Sequence, residues 1–131
     1  MTEPTPPAAI SFAAPIPILR IFDEAKAREF YVDFLGFAVD WEHRFAPGAP
    51  LYCQVSLGAC RLQLSEHFGD GTPGTIVKVA TGGLAAYHAA LLAKRYRHAR
   101  PMLQDQDWGE RQMTIADPFN NRLVFYEKLG P

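Results

Sequence analysis

Residues 51–67 read LYCQVSLGACRLQLSEH, two runs of alternating apolar and polar residues that meet at Gly58-Ala59. The alternation predicts two strands, and the tight Gly-Ala connection predicts a hairpin whose paired residue numbers sum to about 117. Cys53 then lies opposite Leu64, and Cys60 opposite Leu57. Leu51, Cys53, Val55, Leu57, Cys60, Leu62 and Leu64 share one face, while Tyr52, Gln54, Ser56, Arg61, Gln63 and Ser65 share the other. Such a split demands cover on the apolar side and leaves the other side wet.

Upstream, PIPILRIF (15–22) predicts a short strand. Asp23 is placed to cap a helix over EAKAREFYVDFL, with Gly36 as its stop. Ala27, Phe30, Tyr31, Phe34 and Leu35 form its apolar stripe. FAVDWEHRF is the next strand, and APGAP leads into the hairpin. Downstream of the glycine-rich HFGDGTPG the order starts again. TIVKVAT is a strand, Gly82-Gly83 turns, LAAYHAALLAKRY is a helix with Leu84, Tyr87 and Leu91 on one stripe, and RHARPMLQD is a short extended piece. RQMTIAD and NRLVFYE make a second hairpin. Its alternation turns Met113, Ile115, Leu123 and Phe125 inward and Gln112, Thr114, Arg122 and Tyr126 outward. Val77 and Val79 point in and Lys78 out. The expected fold is α+β: two paired βαβββ modules, about 15–68 and 75–128, forming a curved mixed sheet around a cleft. Residues 15–131 make a single domain, and residues 1–14 an N-terminal tail or an arm on a partner subunit.

With 131 residues, 48% of them hydrophobic, the chain is long enough for a core without staples. A net charge of -1 gives no reason to expect nucleic acid or an anionic membrane as partner. No apolar run approaches the roughly 20 residues of a transmembrane helix. Glu3 and the early prolines do not make a secretory signal, so a cytoplasmic protein is expected. Cys53 and Cys60 stand too far apart along the hairpin for a disulfide and read as buried free thiols. His43, His67, His88 and His98 read as solvated surface residues. Glu66 and His67, adjacent on a strand end, point to opposite faces and read as unrelated surface groups.

Two stretches and the order of elements together carry a resemblance. LRIFDEAKAREFYVDFLGF, the Trp108-Gly109 pair followed by RQMTIADPFNNRLVFYE, and the doubled order of elements resemble the vicinal oxygen chelate superfamily. That superfamily includes glyoxalases, extradiol dioxygenases and bleomycin-resistance proteins. The resemblance implies a metal site with one ligand from each of four strands. In this sequence those positions fall on Ile16, Gln63, Ile76 (or Thr75 with a slip of one residue) and Val124. Isoleucine and valine have no lone pairs to offer a divalent ion, so no metal and no other cofactor is expected, and no catalytic residue is assigned.

Within the superfamily the chain looks most like the bleomycin-resistance proteins, which imply a homodimer whose interface clefts sequester a drug by aromatic stacking. The resemblance places Trp108, Gly109, Asp107 and Trp41 near the ligand, with Tyr52, Gln63, Lys78, Arg122 and Tyr126 on the cavity wall. Trp41 reads equally as a stacking platform or as core. Asp105, Asp107 and Glu110 surround Trp108 with negative charge. Lys78 repels a cation and invites an anion, so an anionic or neutral aromatic ligand fits as well as a cationic drug. The alternatives are a lyase, isomerase or dioxygenase-like enzyme of the superfamily, and an interaction module with a vestigial cleft.

Overall fold

A computed structural model describes residues 9–130, so any tail at residues 1–8 lies outside the described residues. Residues 9–14 form no helix or strand and lie exposed. β1 spans Ile18–Arg20 and α1 spans Glu24–Arg28, continuing as a π-helix through Glu29–Phe34. β2 (Ala38–His43), β3 (Tyr52–Leu57) and β4 (Cys60–Ser65) complete the first half. The second half comprises β5 (Ile76–Ala80), α2 (Leu84–Ala93), β6 (Leu103–Asp105), β7 (Glu110–Ala116) and β8 (Arg122–Lys128). PIPILRIF thus contributes three strand residues rather than eight, and RHARPMLQD contributes the short β6.

The two halves build two four-stranded mixed sheets, as expected of two paired βαβββ modules. Their orders are β1-β4-β3-β2 and β5-β8-β7-β6, the same path traced twice. In each, the first strand runs parallel to the fourth and the remaining pairs are antiparallel. The predicted hairpin register holds: Cys53 pairs with Leu64 and Leu57 with Cys60. Both cysteines are free thiols.

Asp23 caps α1 as its sequence position requires, its carboxylate accepting the Lys26 N–H at 2.8 Å. Gly36, at φ +93°, ends the helix in a conformation that L side chains rarely adopt. The stripe Ala27, Phe30, Tyr31, Phe34 and Leu35 is buried throughout, and so are Leu84 and Leu91 of α2. These residues join the apolar faces of both sheets in one shared core. Burying each large side chain contributes about 1.5–3 kcal/mol. Because both sheets turn their apolar faces to this common core, their wet faces look outward.

Side-chain hydrogen bonds tie the halves to each other. The Tyr31 hydroxyl donates to Asp117 Oδ2 at 2.6 Å, and Asn121 Nδ2 donates to the Arg20 carbonyl at 2.9 Å. The Tyr87 hydroxyl donates to the Leu35 carbonyl at 2.7 Å. Loop 66–74 folds over the end of β1 and buries Ser65, a residue of the wet face by alternation. Ser65 Oγ donates to Asp70 Oδ2 at 2.9 Å. Gly71 makes the fit possible: a Cβ there would stand 2.9 Å from the Ile18 carbonyl oxygen.

Candidate functional site

The wet face of the first sheet is a ladder of side-chain hydrogen bonds running across its strands. The Tyr52 hydroxyl donates to Gln63 Oε1, and Gln63 Nε2 donates to Gln54 Oε1 at 3.0 Å. Gln54 Nε2 donates to Asp40 Oδ2 at 3.0 Å, and the Ser56 hydroxyl donates to Asp40 Oδ1 at 2.8 Å. Trp41 reaches this face through a β-bulge. Val39 pairs with Val55 but Trp41 pairs with Gln54, so Asp40 is the extra residue. Strict alternation from Val39 would have sent the indole toward the core. The bulge instead puts both Asp40 and Trp41 on the wet side. Trp41 is 41% exposed, with its ring 5.5 Å from that of Tyr52.

The wet face of the second sheet is organised around Glu110. Its Oε1 accepts from Lys78 Nζ at 2.9 Å, from Trp108 Nε1 at 3.0 Å and from Gln112 Nε2 at 2.9 Å. Lys78 also reaches Oε2 at 3.2 Å and lies 4.3 Å from the Tyr126 ring centroid, a cation–π contact. Glu110 is shielded by these donors. They hold its carboxyl at about 2, the Lys78 bond most, then Trp108, then Gln112. Trp108 sits at the tip of the β6–β7 turn, where Gly109 adopts φ +84°. Its N–H is fixed to Glu110 while the indole stays 65% exposed.

The structure therefore gathers the predicted residues into two groups. Trp41, Tyr52 and Gln63 share one face, and Lys78, Trp108 and Tyr126 the other; among the described side-chain contacts none joins the two. Val124 flanks Lys78 on β8, and Arg122 stands level with Ile76 at the end of the parallel pair. Asp107 is exposed beside Trp108 and makes no ion pair among the described residues.

Two electrostatic expectations change. The carboxylates near Trp108 are not a free acidic field, because Glu110 is paired with Lys78 and Asp105 with Arg111 at 2.8 Å. Lys78, conversely, is not an unopposed cation, and the repulsion it was expected to exert is offset by Glu110. The histidines also differ from the expected solvated set. His67 is half-buried and its Nε2 is covered without a hydrogen-bond partner among the described residues, and His88 Nε2 lies 2.8 Å from the Pro101 carbonyl. Glu66 is structural, accepting the Leu51 N–H at 2.9 Å.

Glu110, Gln112 and Asp40 were missing from the expected site. The period of two that puts Gln112 outward also puts Glu110 outward, so that residue had a signal in the sequence. The bulge at Asp40 had none.

The donor set does not fit a divalent metal. The parallel register places Ile18 rather than Ile16 beside Gln63, and Val124 beside Lys78. Gln63 already uses both ends of its amide within the ladder. Among the described residues no three His, Cys, Asp or Glu side chains converge. A binding site for such an ion needs at least three converging donors.

A family model described as "Glyoxalase superfamily protein" matches residues 2–130. A bleomycin resistance protein of Geobacillus stearothermophilus is 29% identical over 132 residues, covering 87% of this chain and 96% of its own. A Staphylococcus aureus protein of the same name aligns with the same identity and coverage. Among solved structures, the bleomycin-binding protein from bleomycin-producing Streptomyces verticillus, complexed with copper(II)-bleomycin, is 22% identical. It superposes with a TM-score of 0.66 over 93% of this chain and 99% of its own. A glyoxalase/bleomycin resistance protein/dioxygenase superfamily member from Sphaerobacter thermophilus gives 0.65 at 20% identity, covering 89% and 98%. At these identities the solved structures speak for a shared fold.

Proposed function

The chain belongs to the glyoxalase superfamily, and from that membership we propose that it is a binding protein of the bleomycin-resistance type. It sequesters a drug or another flat aromatic ligand without metal chemistry. Each wet face is half of a cleft, and a second copy of the chain supplies the opposing wall. The observation that carries this reading is Trp108: its N–H is anchored by Glu110 while its π-face stands open at 65% exposure. A ring held by its edge is a preorganised stacking platform. Trp41 and Tyr52 offer a second aromatic surface on the other sheet.

The relatives named as bleomycin resistance proteins support the same ligand class. The Lys78–Glu110 pair compensates the lysine charge beside Trp108, which is compatible with a cationic drug. An acid–base reaction is less well supported. Glu110, the best-placed carboxylate, is held at about 2 and its Oε1 already accepts three hydrogen bonds, which makes it a weak base near neutral pH.

Titration of the protein with metal-free bleomycin at low salt, followed by tryptophan emission, tests the proposal. Saturable quenching that disappears in Trp108→Ala is expected. A flat titration, or quenching unchanged in that variant, overturns it.

A further inference from the structure

Residues 94–100, KRYRHAR, form the most basic stretch of the chain and play no part in either wet face. They follow α2, and a basic run after a helix has an ordinary explanation: cations bond the last carbonyls and favour the helix dipole. Lys94 fits it, although at a neighbouring helix, donating to the Asp33 and Phe34 carbonyls at 2.9 and 2.6 Å. The carbonyls that end α2 are taken by backbone, Leu91 by the Lys94 N–H and Leu92 by the Arg95 N–H. Arg95, Arg97 and Arg100 make no salt bridge and no side-chain hydrogen bond among the described residues, and all three are exposed.

The backbone beneath these arginines is held firmly. The Tyr96 ring stacks on Phe34 at 4.5 Å and 29°. His88 ties Pro101. A groove of about 410 Å³ is lined by Leu91, Leu92, Arg95, Tyr96, Ala99 and Arg100. Its lining is mixed: Leu92, Tyr96 and Ala99 offer an apolar patch beside two guanidinium groups that form no ion pair among the described residues, a combination suited to an amphiphilic anion. The apolar patch accepts a small apolar body, while the fork-shaped donors match a carboxylate or phosphate. A bare polyanion would leave that patch unused.

We propose that this groove is a second binding site, separate from the wet faces, for a small organic anion with an apolar body. Calorimetric titration with 1-naphthyl phosphate tests it, with 1-naphthol, inorganic phosphate and a short single-stranded oligonucleotide as comparators. Saturable binding of one naphthyl phosphate per groove is expected, in the wild type and in Trp108→Ala alike. Naphthol and phosphate should each bind at least about tenfold more weakly, and the double variant Arg95→Gln/Arg100→Gln should lose about ten- to a hundredfold, the range for charge-assisted hydrogen bonds. Leu92→Ala, at an exposed position, should weaken binding with the arginines intact. The same double variant should leave bleomycin quenching unchanged, which separates this site from the one proposed above.

The inference is overturned if naphthol binds as tightly as its phosphate, or if the loss follows Trp108→Ala rather than the arginines. It is equally overturned by an absence of binding. Tighter binding of the oligonucleotide, with steep salt dependence, would make the patch a polyanion surface instead.

Discussion

Replacing Tyr31 by Phe removes one oxygen atom from the centre of the molecule and tests what joins its halves. Tyr31 is fully buried and its hydroxyl donates to Asp117 Oδ2 at 2.6 Å. Burial first, and then the Asp117 carboxylate, pushes the phenol well above its usual range, so the donor keeps its proton. Asp117 also accepts the Phe119 N–H and Asn121 N–H at 2.8 Å each and Asn121 Nδ2 at 3.0 Å. The phenylalanine keeps the edge-on ring packing with Phe30 and Phe37, so the change isolates the hydrogen bond. A bond to a charged acceptor is worth about 1.5–3 kcal/mol, and the three remaining donors spare Asp117 a full desolvation penalty. We therefore expect a loss of about 2 kcal/mol, a fall in Tm of roughly 6–10 °C for a chain of this size. Urea unfolding should show a lower midpoint at unchanged m. A double-mutant cycle with Asp117→Asn should give a coupling energy of about 1 kcal/mol or more. A loss below about 0.5 kcal/mol, within the range of a neutral surface change, or additive single effects, would refute the reasoning.

Other outcomes follow from the same structure. Gly71→Ala forces a Cβ to 2.9 Å from the Ile18 carbonyl at φ +68°; the backbone alone costs about 1–2 kcal/mol, and thermal unfolding should show at least that loss. The Glu110 carboxyl is lowered from 4.5 to about 2 on folding. Its contribution to stability is present above the unfolded value and is lost as pH falls from about 4.5 toward 2. Tm measured across that window should fall more steeply in the wild type than in Glu110→Gln. That variant should also shift Trp108 emission, because the indole N–H exchanges a carboxylate partner for a neutral amide; an unchanged spectrum would argue against the anchor. Burial pushes the Cys53 thiol up to about 11 and raises Cys60 as well, so Ellman's reagent at neutral pH should label half-buried Cys60 slowly and Cys53 only on unfolding.

The alternation of two in residues 51–67 and the stripe from Ala27 to Leu35 determined the fold, since each leaves only one way to bury an apolar face. The repetition of that order after Gly74 determined that there are two such modules. The same alternation placed Tyr52, Gln63, Lys78 and Tyr126 on the wet faces, because neighbours two apart on a regular strand share a side. Tertiary structure decided the rest. The bulge at Asp40 is a two-against-one pairing between β2 and β3, and no residue of β2 announces it. The pairing of Lys78 with Glu110 joins residues 32 apart in sequence through the β5-β8-β7 order. It turns what the sequence presents as a lone cation and an acidic loop into a compensated pair. Attraction between opposite charges grows as they approach; the sheet sets this pair 2.9 Å apart, and the chain order of their residues carries no trace of that distance.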